Sequence, residues 1–119
     1  IKIKIVPEYH VKDVLILHGD KIAPKTAKTS AQTIIIGHEH PAICIREKNK
    51  VEKFKCFLKG KWKRKELIVM PSFNPLLEGT DISKEQLLSP FLKDVSKMEV
   101  WVVGDQEVLP FGRIQLKRV

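Results

Sequence analysis

The chain has little with which to cross-link itself. Its 119 residues include two cysteines, Cys44 and Cys56, both in strand-like sequence and neither in a Cys-x-x-Cys pair. That usage speaks against a zinc ribbon or a disulfide framework. It points to free thiols that pack as small hydrophobes, with a bridge between two facing strands of a hairpin as the alternative. No apolar run approaches the roughly 20 residues that span a bilayer, and no leader with a charged start, apolar centre and small-residue cleavage site is seen. The expectation is a soluble, cytoplasmic protein without a membrane partner. Acidic side chains are also in the minority, 14 against 22 Lys and Arg, and the formal net charge of +8 favours an anionic partner.

What is present suits one compact domain over residues 1–119, with 43% hydrophobic and 30% charged residues. The chain opens on Ile1, and the alternation Ile1-Lys2-Ile3-Lys4-Ile5 predicts a strand over Ile1–Val6 already in progress, stopped by Pro7. A second strand is expected over Asp13–Leu17 and a connecting loop, with at most one short helical turn, over Ile22–Gln32. Thr33–Ile36, four consecutive β-branched residues, predicts a strand covered on both faces. After Pro41 the pattern becomes an antiparallel meander with reversals at Asn49 and Gly60. Leu87, Leu88, Phe91, Leu92 and Val95 recur at helical spacing behind a Ser83 N-cap with Gln86 three positions on. Pro90 interrupts the pattern, so one or two short helices are expected near residues 83–97. A hairpin, Glu99–Val103 and Val108–Leu116 turned at Gly104-Asp105, closes the chain. A parallel-looking first half followed by a meander predicts an α/β sandwich of two sheets.

The residues that carry chemistry cluster at two strand ends. Val14-Leu15-Ile16-Leu17 runs into His18-Gly19-Asp20, and Ile34-Ile35-Ile36 runs into Gly37-His38-Glu39-His40. Ligands of open α/β sheets bind beyond the carboxyl ends of the strands, so these two ends share a site if the strands are neighbours. In extended backbone His38 and His40 would project to one side, with Cα atoms roughly 6.5 Å apart, and could straddle one metal ion or two. Glu39 would then face away from them, toward solvent or toward a hydrogen bond with a ligand His. His10 reads as ordinary surface. Asp20 could orient His18 or a substrate, although Asp after Gly is common turn chemistry. Neutral imidazole suits Zn, Mn, Fe or Ni, and phosphoester hydrolysis commonly uses two such ions.

These residues resemble the calcineurin-like metallophosphoesterases, whose last two motifs are a His after an apolar strand and a Gly-His-x-His. Here they read "LILHGD" and "IIIGHEHPAI". "CFL" followed by "LIVMPSFNPLLEGTDI" is similar to the tail of the archaeal and ligase-associated DNA-repair branch, so the resemblance covers roughly His10–Ile82. It implies a metallophosphoesterase-type two-sheet α/β sandwich and two divalent ions, manganese favoured. It implies that His18 and His38 bind one ion and His40 the other. Gly37 would let the backbone turn closely beneath the metals. The family's earlier motifs, Asp-x-His, Gly-Asp-x-x-Asp and Gly-Asn-His-Asp, are absent here. They supply the remaining ligands, the bridging Asp and the His that assists phosphoryl transfer. The chain thus resembles the C-terminal portion of such an enzyme, inactive or nearly so alone, whose site a missing N-terminal half or another chain would complete.

The expected function is metal-dependent hydrolysis of a phosphoester, best a phosphodiester, with DNA or RNA among the candidate substrates and a metal-activated water as nucleophile. Asp20 and Asn74 are weaker catalytic candidates, and the polar loop Ser72, Asn74, Gly79, Thr80 and Asp81 is a candidate for substrate contact. Between Arg46 and Lys65, ten of twenty residues are Lys or Arg, with Phe54, Phe57 and Trp62 interleaved. Such a stretch suits either a nucleic-acid face or a solvated hairpin whose lysines discourage edge-to-edge aggregation. The rival reading is a non-catalytic basic nucleic-acid-binding module with a vestigial or structural metal site.

Overall fold

The computed structural model describes residues 2–84, 87–93 and 95–113. In chain order it contains β1 (Glu8–Val11), β2 (Val14–Leu17), α1 (Pro24–Ala27), β3 (Thr33–Ile36), β4 (Pro41–Glu47), β5 (Lys50–Trp62), β6 (Lys65–Val69), β7 (Thr80–Asp81), β8 (Glu99–Val103) and β9 (Val108–Arg113). These strands form one mixed sheet in the order β1-β2-β3-β6-β5-β4-β7, with β8 joined to β5 and β9 to β8. A strand-rich mixed sheet with very little helix is compatible with the α/β class. Among the described residues no helix is long and apolar enough to cross a membrane.

The centre of the sheet is parallel. β2 pairs with β3 and β3 with β6, so that Leu17, Ile36 and Val69 end level with one another. The adjacency that a shared His site requires is therefore present. Leu15, Ile34, Ile36, Leu67, Val69, Leu58 and Val100 are buried on one face. Phe91, Leu92, Met98 and Ile82 cover that face from the segment after β7. The opposite face of β3 is only half-covered at Ile35, so the strand is not enclosed on both sides.

Four expectations change. Residues 2–6 form no strand, because their alternation finds no partner among the described residues: Ile3 and Ile5 are 84% and 93% exposed, and Ile1 lies outside the described residues. The first strand is β1, which pairs antiparallel with β2 through a turn at Lys12, while Asp13 instead accepts the Gln32 amide at its Oδ1 and its carbonyl. Gly60 lies inside β5, where a Cβ would come 2.8 Å from Met98 Cγ; the reversal falls at Lys63 and Arg64, both at positive φ as a tight hairpin turn requires. The helix expected over Ser83–Met98 is not formed among the described residues of that stretch, and Glu85, Gln86 and Asp94 lie outside them. Competing hydrogen bonds override the periodicity there: locally Ser83 Oγ donates to Asp81, and at long range Ser89 is held by Glu39 and Gly19. α1 is the single turn expected in the connecting loop, and the closing hairpin forms with Gly104 donating to Glu107, its end from residue 114 lying outside the described residues.

Since Leu58 sits where β6, β5 and β8 meet and is fully buried, Leu58→Ala should lower the free energy of unfolding by about 2–5 kcal/mol. Urea unfolding checks this, with the slope unchanged.

Candidate metal and phosphoester site

Three parallel strands deliver their following residues to one rim, and the ladder continues past them: Gly37 N donates to the His18 carbonyl at 3.0 Å and Met70 N to the Ile36 carbonyl at 2.8 Å. This places the two His-bearing turns side by side. His38 Nδ1 lies 2.9 Å from His18 Nε2, and the rings meet edge to face with centroids 4.7 Å apart. Such a bond needs at least one of the two nitrogens free of a proton, the state in which imidazole also binds a metal. Two nitrogens each about 2.1 Å from a common ion at a right angle would stand about 3.0 Å apart, so the pair also has the spacing of neighbouring ligands.

His40 does not join them. The extended backbone expected for His38 to His40 is replaced by a tight reversal, with Glu39 N donating to the Gly37 carbonyl at 2.9 Å and φ of +72° at His38 and +52° at His40. This is the γ-turn of the less common, positive-φ kind. It swings the imidazoles apart, so His38 meets His18 while His40 Nδ1 is buried without a hydrogen-bond partner. Among the described residues, no group of three or more His, Cys, Asp or Glu side chains converges on one metal position. Gly37 is not at positive φ, and a Cβ there would meet nothing nearer than the His18 carbonyl at 4.0 Å.

Glu39 is neither at the surface nor bonded to a His. It is 6% exposed, and its carboxylate accepts the Ser89 amide while Ser89 Oγ donates to the Gly19 carbonyl at 2.6 Å. Ser89 thus joins the turn after β2 to the turn after β3. No motif announces this role, because the partner lies fifty residues away in sequence. Gly19 is required at its own position: φ is +97° and a Cβ would come 2.7 Å from Ile36 Cβ.

The remaining candidates divide. Asp20 is exposed and, with His18, Lys21, Lys25 and the buried Thr26, lines a cleft of about 160 Å³ beside the histidine pair. Asn74 is engaged in local turn chemistry, its Oδ1 accepting the Leu76 amide and its amide donating to Ser72 Oγ. Lys55 Nζ pins this loop by donating to the Ser72 and Asn74 carbonyls at 2.9 and 2.6 Å. Gly79, at φ +95°, allows Thr80 N to reach the His40 carbonyl. His10 is on the surface, 3.7 Å from Glu8. Cys44 and Cys56 are free thiols, Cys44 only half-buried. Burial, with the Asp81 charge beside it, pushes the Cys56 thiol up to about 12, and burial, a hydrogen bond to Asp81 and the Asp81 charge raise Cys44.

Asp81 is buried, which alone would raise its carboxyl, but hydrogen bonds from Ser83 and Cys44 together with the Lys84 charge outweigh burial and hold it below 3.8. Comparison of the chain with protein-family models, with curated proteins and with solved structures found no match. The reading of the rim rests on its own residues.

Two outcomes follow. Glu39→Ala should cost about 1–3 kcal/mol, because the Ser89 amide is left buried and unpaired, and Glu39→Gln, which keeps an acceptor, should cost less. Thermal unfolding of the pair of variants checks this. Because the Asp81 carboxyl is lowered in the folded state, its contribution is present above 3.8 and fades as pH falls below that value. Asp81→Asn should therefore flatten the acid limb of a plot of stability against pH, as urea titrations from pH 7 down to pH 2 would read.

Proposed function

We propose that this chain supplies the imidazole ligands of a dinuclear metal centre in a phosphodiester hydrolase of the calcineurin-like kind. The observation that carries the reading is the His18–His38 contact of 2.9 Å at the level ends of two parallel strands. The turn geometry accords with the division of labour the resemblance implies, with His18 and His38 together on one ion and His40, whose buried Nδ1 is unpartnered, on the other. When bound, the two divalent ions, manganese favoured, would supply hydroxide near neutral pH and positive charge opposite the phosphoryl oxygens.

This chain's own residues would do the rest of the positioning. The reversal held by Glu39 and Ser89 aims His38 at His18, and Gly19 carries the chain away from β2 without blocking Ile36. The cleft lined by Lys21 and Lys25 would seat the anionic substrate beside His18. The bridging carboxylates would come from a preceding half of the polypeptide or from another chain, completing a two-sheet sandwich whose second sheet continues from the end of β5 that pairs with β4.

Calorimetric titration with Mn²⁺ tests the ligand assignment. Binding should disappear in His18→Ala and in His38→Ala and survive in His40→Ala. The enzyme reading is tested on the product of the complete reading frame, which should hydrolyse an aryl phosphodiester in a chelator-sensitive way and lose at least about a hundredfold with His38→Ala. Binding indifferent to both His18 and His38, or an upstream sequence lacking Asp-x-His and Gly-Asn-His-Asp, would overturn it.

A further inference from the structure

The outward face of β5 carries a charge pattern that the metal centre does not use. Strand alternation sends Phe54, Cys56, Leu58 and Trp62 into or against the core and leaves Lys53, Lys55, Phe57, Lys59 and Lys61 on the other face. The composition of this stretch and the alternation of its lysines were readable in the sequence, but the place of Phe57 on the lysine face, beside Trp101, was not. Phe57 stands directly opposite Trp101 of β8, so the two aromatic side chains share that face, each only half-buried. Arg46, opposite Val51, adds a further cation at the hairpin end.

The face also has acids. Glu66 stands opposite Lys61 and 3.9 Å from Lys59, and Glu99 stands opposite Lys59. Asp81, which shares the face through Ala42 and Lys55, is a third, and five cations against three carboxylates still leave the stripe positive. Lys55 gives its ammonium to the Ser72 and Asn74 carbonyls and is left out of the phosphate-binding set, and Asp81 accepts from Ser83.

Lysines two apart on one strand face are separated by roughly 6.6 Å, comparable with the phosphate repeat of an extended nucleic-acid strand. A basic track with interleaved aromatic rings is how proteins hold single strands, since unpaired bases stack while phosphates are neutralised. Position supports the same choice. Leu58 pairs with Val69 at the rim, so Lys53–Phe57 lie at the His end of the sheet, two strand spacings, roughly 10 Å, from β3.

We infer that this face binds a single strand of nucleic acid, with phosphates on Lys53, Lys59 and Lys61 and bases on Phe57 and Trp101, and leads it to the histidine rim. As an assignment of substrate this rests on the phosphodiesterase reading; as a binding face it does not.

The experiment uses Trp62→Phe, which leaves Trp101 as the sole tryptophan, titrated with oligothymidylate in EDTA so that no turnover occurs. Trp101 fluorescence should be quenched, and affinity should fall with salt. Replacing Lys53, Lys59 and Lys61, all exposed, with Gln should reduce the salt slope by about 2, and Phe57→Ala should weaken binding roughly tenfold. An unchanged slope in the triple variant, binding without quenching of Trp101, tighter binding of a duplex of equal length, or quenching by anionic lipid vesicles alone would each overturn the inference. Because metal is excluded, failure here leaves the Mn²⁺ titration of His18 and His38 standing, and failure there leaves this result standing.

Discussion

The parallel register Leu17–Ile36–Val69 is the constraint on which the rest depends. Because three strands stop at one height, the residues after each stop, His18, Gly37 and Met70, meet along a single rim. The backbone bonds that continue the ladder for one residue beyond the strands fix that height. A slip of one residue would exchange the two faces of every strand concerned, exposing Ile34 and Ile36 and burying the half-open side. The hydrophobic pattern that builds the core therefore also sets the spacing between His18 and His38.

The segment after β7 couples the core to that rim. Phe91, Leu92 and Met98 press on the buried face of the sheet, while Ser89, within the same stretch, bonds both to Glu39 and to Gly19. A regular helix would have committed the Ser89 amide to its own ladder. Leaving it irregular frees that amide for a carboxylate fifty residues away, and Glu39 becomes a structural acid in a motif where acids invite a ligand role.

What could be read from the sequence follows the range of the forces involved. β3, the meander, the Asn49 reversal and the closing hairpin are signalled by local alternation and turn chemistry, and the structure has them. Residues 2–6 alternate as well as any strand, but alternation needs a partner, and they find none among the described residues. The apolar spacing after Ser83 marks residues that are buried, yet it does not specify a helix once Pro90 and long-range bonds compete. At the rim, the histidines were legible as residues next to strand ends. Their parting into a pair and a single ring is implied by the family resemblance but not by strand geometry, because it depends on positive φ at two positions where extended backbone is the ordinary expectation.

That conformation says something about what the turn is for. A reversal needing left-handed backbone is most cheaply made with glycine, and a glycine is at hand one residue away, at Gly37, where φ is not positive. Instead His38 and His40 occupy the left-handed positions, at a cost of order 1–3 kcal/mol each in general and less for His, which enters this region more readily than most. The strain is held from both sides. Glu39 is anchored to Ser89, and the His40 carbonyl receives Thr80 N where Gly79 has no Cβ to come within 2.5 Å of it. A loop that served only to turn the chain would not keep an imidazole at both strained positions and a glycine at the relaxed one. The arrangement is explained if the imidazoles themselves are what the turn exists to aim, one toward His18 and one away from it.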